Sequence, residues 1–358
     1  MRDFLVIGGG IAGVSAAARL SHLGSVILLE RESALAFHAS GRSAALFEAN
    51  YGQPPVVALN AASEAYHETA NGGVLSPRGL MLIGTAVDAA GFAEDIRTMG
   101  LDQITIEEAR AFWPILAADV DRAGFHDSAR DIDTDRLLQN FAREARSNGA
   151  EFHTDAGVTA IRRTSAGWQV DAGGETHAAR ILVNAAGAWV DNVATMAGIA
   201  PIGFTPLRRS MARIPAPEGH DVSRWPMVFG IGEGWYAKPD AGALIVSPAE
   251  EDPVEPQDAW ADDMVLAEGL ARYEAHVTVP VTRMLANWAG LRTFAPDRNL
   301  VLGPAPTDPA FVWCAGQGGY GFQSCPAASA LLADLVAGRS PALPVDVVSS
   351  LSPERFAT

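Results

Sequence analysis

An α/β fold is what the sequence predicts, and three observations carry the expectation. A β-branched apolar run, Asp3 to Ile7, passes through Gly8-Gly9-Gly10-Ile11-Ala12-Gly13 into an apolar stripe at helical spacing from Ile11 to Leu23. A second apolar run, Ser25 to Glu30, follows at once and ends in an acid. Strand and helix patterns then alternate along most of the chain, except between 205 and 247, where short alternating strands and turn signals such as Lys238-Pro239-Asp240-Ala241-Gly242 indicate an antiparallel sheet. Together these give a Rossmann-like nucleotide-binding domain and a second, α+β domain. A chain of 358 residues is long enough for two domains at about 150 residues each.

The first unit reads β-α-β. Gly8 allows the tight turn, Gly10 lets the backbone approach a pyrophosphate at the helix N-terminus, and Gly13 lets the helix pack close to the strand. Glu30 stands where its carboxylate can accept from ribose hydroxyls. Helical patterns follow at Pro54 to Thr69, Ala86 to Met99 and Asp133 to Asn148, with strands at Leu80 to Gly84, Ala156 to Arg163 and Arg180 to Asn184. The last of these runs into Ala185-Ala186-Gly187-Ala188. Beyond the antiparallel region come a charged helix near Asp258 to Ala275 and strands at Met284 to Leu291, Asn299 to Gly303 and Phe311 to Ala315. A glycine-rich turn, Gly316 to Gly321, opens a helix from about Phe322 to Ala337. This resembles the N-terminal arrangement, so 1–50, 132–202 and 286–358 are assigned to the nucleotide-binding domain and 51–131 and 203–285 to the second.

Charge excludes several functions. The 26 Lys+Arg against 42 Asp+Glu leave a formal charge of -16, which repels phosphate backbones and anionic lipid heads, so neither nucleic acid nor a membrane surface is an expected partner. The only lysine is Lys238; there is no P-loop lysine, and any imine chemistry would rest on that residue alone. The apolar N-terminus is too short for a membrane span and lacks a signal peptide's basic region, which points to a cytoplasmic protein. The two cysteines, Cys314 and Cys325, fit a reducing compartment. The 8 histidines never fall at HxH or HxxxH spacing, so no metal site is expected.

Four segments carry a resemblance. Ala39-Ser40-Gly41-Arg42-Ser43-Ala44-Ala45, Val183-Asn184-Ala185-Ala186-Gly187-Ala188-Trp189, Trp288-Ala289-Gly290-Leu291-Arg292 and Gln317-Gly318-Gly319-Tyr320-Gly321 resemble the D-amino acid oxidase superfamily of flavoenzymes. Within it the chain is most similar, nearly end to end, to the bacterial FAD-dependent D-arginine dehydrogenases. The resemblance implies a glutathione-reductase-type FAD domain with extended, non-covalent FAD. Ala12, Gly13, Glu30 and Arg31 would hold its adenosine and pyrophosphate, with Val158 on the adenine side and Gly187 nearby. Ala39 through Leu46, together with Gly318, Gly319, Tyr320, Gly321, Phe322 and Gln323, would line the flavin. Backbone N–H groups at a helix N-terminus also suit the negative charge that gathers on a reduced flavin.

For substrate, the resemblance implies that Arg292 clamps a carboxylate, that Tyr51 and Tyr236 cover the amino acid, and that Arg209, Gly319 and Gln323 contribute further contacts. Arg292 follows the apolar stretch Ala289 to Leu291, where an unpaired cation would be costly. Three departures stand out. Leu80 replaces the acid that pairs with a guanidinium side chain, Leu46 replaces a histidine beside the flavin, and Glu48 replaces a threonine of a mobile loop. Leu80 and Met81 then suggest an apolar side-chain pocket, which Glu48 could convert to a cation site by folding inward. The implied reaction is oxidative deamination of a free D-amino acid by hydride transfer from Cα, yielding a 2-oxo acid and ammonia, with an unidentified electron acceptor. A sarcosine- or glycine-oxidase-like amine oxidase, a 2-hydroxy acid flavoenzyme and a non-catalytic FAD-binding subunit are the alternatives. The Arg292-Thr293-Phe294 stretch contains no cysteine for covalent flavin attachment, and the absence of a lysine from Ala243 to Ser247 favours a dehydrogenase over an oxidase.

Overall fold

The computed structural model describes residues 1–357. Its first strand, β1 (Arg2–Ile7), leads through the glycine turn to α1 (Ile11–Leu20) and on to β2 (Val26–Leu29). Both strands are apolar without alternation because both faces of their sheet are covered. Phe4 and Val6 enter one core while Leu5 and Ile7 enter another on the opposite face. In this 8-stranded sheet β1 lies between β2 and the strand Glu175–Asn184, parallel to each. Asp308–Ala315 and Glu151–His153 extend the parallel part, and the hairpins of Val158–Thr164, Gly167–Ala172 and Glu175–Asn184 form an antiparallel flank.

The second sheet has 9 strands and is antiparallel except where Met227–Gly230 runs parallel to Leu80–Gly84. That pair can be parallel because the two strands are joined by the long stretch 85–226 rather than by a turn. The helix expected from Asp258 begins only at Asp263, since Asp262 caps it by accepting from the backbone of Met264 and Val265. The strand expected to end at Leu291 runs on from Ala286 to Phe294 and pairs with Thr205–Arg213. Arg292 is therefore inside a strand, not at its end. The segment that carries it belongs to the second sheet before the chain returns to the first at Val301.

The helices Pro54–Thr69 and Gly321–Val336 are tied by His67, whose fully buried Nε2 donates to the Gln323 carbonyl at 2.9 Å. Burial holds this ring below the ordinary histidine pKa. The unfolded chain then takes up a proton that the native ring refuses, so stability is present above about pH 6.5 and is lost as pH falls below it. His67→Gln keeps a donor and removes the titration. Its melting temperature should drop less than the parent's between about pH 7 and pH 5.5, measured by thermal unfolding.

Candidate active site

A single long cleft runs between the two sheets. One end is lined by Gly8, Gly9, Gly10, Glu30, Arg31, Val158 and Gly187, and the other by Ala44, Leu46, Tyr51, Tyr236, Arg292 and Gly319; Ala39, Ser40, Arg42, Gly290 and Leu291 border both. At the first end Gly8 has φ +113, and a Cβ there or on Gly13 would overlap a neighbouring carbonyl oxygen. Gly13 is thus a packing glycine: neither it nor Ala12 nor Gly41 faces the cleft with a side. The N-terminus of α1 has no side-chain cap and no acid in its first turn. Of its first three N–H groups, only that of Ile11 is taken among the described residues, by Ser40 Oγ at 3.0 Å. Open N–H groups at a helix start facing a glycine-lined trough fit a pyrophosphate. Glu30 is buried, and its oxygens accept from the N–H groups of Gly9 at 2.6 Å and Glu32 at 2.9 Å, which fixes the carboxylate at the mouth with lone pairs left for ribose hydroxyls. Arg31 lies over the Trp189 ring at 4.9 Å, closing the same end.

At the other end Gly318 has φ +49 and sits so close to the Phe294 ring that a side chain could not fit. The Arg292 guanidinium carbon lies 3.0 Å from where a Cβ on Gly319 would stand, so this turn and that arginine face each other directly. Arg292 forms no ion pair among the described residues. Burial opposes its charge, and the nearby Tyr51, Tyr236 and Glu233 outweigh that, so it stays protonated. Burial raises the pKa of the Tyr51 phenol, with Arg292 pulling the other way. The Tyr236 hydroxyl has only the Met211 sulfur, at 3.4 Å, as an acceptor.

Several expected residues are otherwise engaged. Arg209 is buried and donates to the Glu250 carbonyl at 3.0 Å and to Glu251 at 3.3 Å. Arg42 donates to the carbonyls of Ala259 and Ala289 and to Asp258. Both line the cleft, but each is neutralised by its own partners. Tyr320 does not line it: its buried ring packs edge-on against Tyr51 and Phe294. Gln323 lines the cleft and also fastens the adjacent loop, accepting from Glu48 N–H at 3.2 Å and donating to the Tyr51 carbonyl at 3.4 Å. Asn60 holds the same loop through the carbonyls of Ala49 and Tyr51.

The side-chain wall is apolar. Leu46, Leu80, Met99, Met211, Met227 and Phe229 form it. Met81 does not, because strand alternation turns it into the core on the opposite face. Glu48 has folded inward: it is buried, lines the cleft, and places Oε2 3.0 Å from His126 Nε2. Sequence reasoning missed Glu233, which lines the mouth, has φ 53, and accepts from the Tyr51 hydroxyl at 3.3 Å. It also missed Met211, Met227 and Phe229. Period-2 spacing from Arg209 and Tyr236 would have found the strands, though not which face turns to the cleft.

The family model described as FAD dependent oxidoreductase, DAO, matches residues 3–335. The bifunctional tRNA 5-methylaminomethyl-2-thiouridine biosynthesis protein MnmC of Thiobacillus denitrificans is 26% identical over 99% of this chain and 60% of its own length. Glycine oxidase of Pseudomonas aeruginosa is 26% identical over 94% of this chain and 95% of its own. The chain spans between 44% and 60% of the length of three of the curated relatives it matches. The crystal structure of glycine oxidase from Geobacillus kaustophilus has the same fold, with a TM-score of 0.82 at 23% identity and 97% of both chains covered.

Proposed function

The chain belongs to the DAO family of FAD-dependent oxidoreductases, and from that premise we propose that it removes two electrons from the Cα–N bond of a free D-amino acid, giving an imino acid that water hydrolyses to a 2-oxo acid and ammonia. The observation that carries this reading is Arg292, a cation without an acid of its own, set between two tyrosines and against the Gly319 turn. A carboxylate is the ligand such a fork fits bidentately. FAD, when bound, supplies the two-electron acceptor.

This chain's residues then orient and shield. Arg292 fixes the carboxylate, and Tyr51, kept protonated by burial, remains a hydrogen-bond donor rather than a competing anion. The amine must be neutral to lose a hydride from Cα; α-amino groups in model peptides titrate near pH ~8, and the two carboxylates of the cleft are already engaged, Glu48 beside His126 and Glu233 on the Tyr51 hydroxyl. Positioning is accordingly the main contribution of the protein. The wall formed by Leu46, Leu80, Met211 and Phe229 excludes water and leaves room for a side chain, which favours a substrate larger than glycine. Lys238 is buried on Asp131 at 2.6 Å and does not line the cleft. Cys314, its thiol pushed up to about 12 by burial, and Cys325 do not line it either. These placements favour non-covalent FAD and a separate electron acceptor.

Anaerobic mixing of the FAD-loaded protein with single D- and L-amino acids, glycine, sarcosine and 2-hydroxy acids tests the reading. Bleaching of the flavin by D-amino acids is expected. Bleaching by glycine and sarcosine alone, or by hydroxy acids alone, would replace the substrate assignment, and no bleaching by any would leave an FAD-binding subunit.

A further inference from the structure

Away from the cleft, three donors without hydrogen bonds of their own among the described residues come together on two strands of the first sheet. Glu175 and His177 are two apart on the strand Glu175–Asn184 and so share a face. His153 ends the strand Glu151–His153. The two imidazole rings are 5.4 Å apart at 70°, and the ligand atoms of all three residues lie within 4.8 Å of one another. We propose that His153, Glu175 and His177 bind a divalent transition-metal ion, with Zn2+ as the ion the donor set fits best.

Two imidazoles and a carboxylate match zinc's preference for nitrogen and oxygen ligands, with water in the fourth position. Bonds of about 2.0–2.2 Å hold tetrahedral donors about 3.3–3.6 Å apart, so side-chain rotation of about an ångström closes the set. The strands need not move, because each is paired: His153 with Leu29, Glu175 with Ala172 and His177 with Val170. The donors are also free. Neighbouring acids are taken by arginines, Glu151 by Arg2 and Asp171 by Arg162, whereas Glu175 is exposed and forms no ion pair among the described residues. His153 Nε2 has Glu151 at 3.8 Å, too far for a hydrogen bond and with that acid held by Arg2, so the ring is free to turn toward an ion. Sequence spacing hides the site, since the second strand joins it from 22 residues further on.

The test is calorimetric titration of untagged, FAD-loaded, chelator-dialysed protein with ZnCl2. One saturable ion per chain is expected, with affinity reduced at least about tenfold in His153→Ala and in His177→Ala. A Zn2+-dependent rise in melting temperature should be present in the parent and absent from the double variant. Retained FAD content reports that the variants fold, and Glu175→Gln, at an exposed position, gives a further weakened variant with no packing to disturb. Cu2+ as a second probe should show nitrogen coupling from two imidazoles in its electron paramagnetic resonance spectrum. No saturable site in the parent, or undiminished binding in the double variant, overturns the proposal.

Discussion

Replacing Arg292 by Met is expected to lower kcat/KM for the amino-acid substrate by about 10²–10⁴, mostly through KM, while the purified protein stays yellow. Two charge-assisted hydrogen bonds at about 1.5–3 kcal/mol each total about 3–6 kcal/mol, and each 1.36 kcal/mol is about tenfold. No other group can take over. Arg209 is held by Glu250 and Glu251, and Arg42 by Asp258 and two carbonyls, so the cleft contains one available cation rather than three. The pyrophosphate trough lies at the far end, which is why cofactor retention should survive. Steady-state kinetics with an artificial acceptor, alongside the absorbance ratio of flavin to protein, separates the effects. An unchanged KM would remove Arg292 from the carboxylate site, and loss of FAD would move it to the cofactor.

Gly13→Ala should have the opposite profile. A Cβ on Gly13 would overlap the Gly8 carbonyl oxygen and press on Ala185, forcing α1 away from β1 where the turn is tightest. Overpacking of this kind typically costs about 1–3 kcal/mol, and here it also pushes open the N–H cradle that holds the diphosphate. The expected product is a less stable protein that purifies largely without FAD. Flavin content and thermal unfolding with and without added FAD report the two losses. Normal FAD occupancy would mean that the strand and helix have slack that the geometry does not suggest.

The nucleotide end was legible because its physics is local. A tight turn, a close helix and an acid at the end of the next strand each constrain residues within 30 positions, and β1, α1 and β2 form as their pattern implies. The substrate end is assembled from distant strands, and local pattern says little about which neighbour a side chain meets. Arg292 could be picked out, but the acids that occupy Arg209 and Arg42 could not, nor could the approach of Glu233 to Tyr51. Met81 was misplaced by one position of strand alternation, which moves a side chain to the opposite face. The helix Ile106–Phe112 carried a readable start, since Thr105 and Glu108 cap each other, yet it is too short for periodicity to show.

The two walls of the cleft come from different sheets: Arg292, Tyr236, Phe229 and Met211 from the second, and the glycine turns from the first and the segment before the helix Gly321–Val336. The walls touch where Gly318 packs on Phe294 and Gly319 faces Arg292, so a substitution along that seam disturbs both. Such an arrangement makes the seam the part of the pocket least free to vary, and neither half keeps a working pocket if the chain is divided.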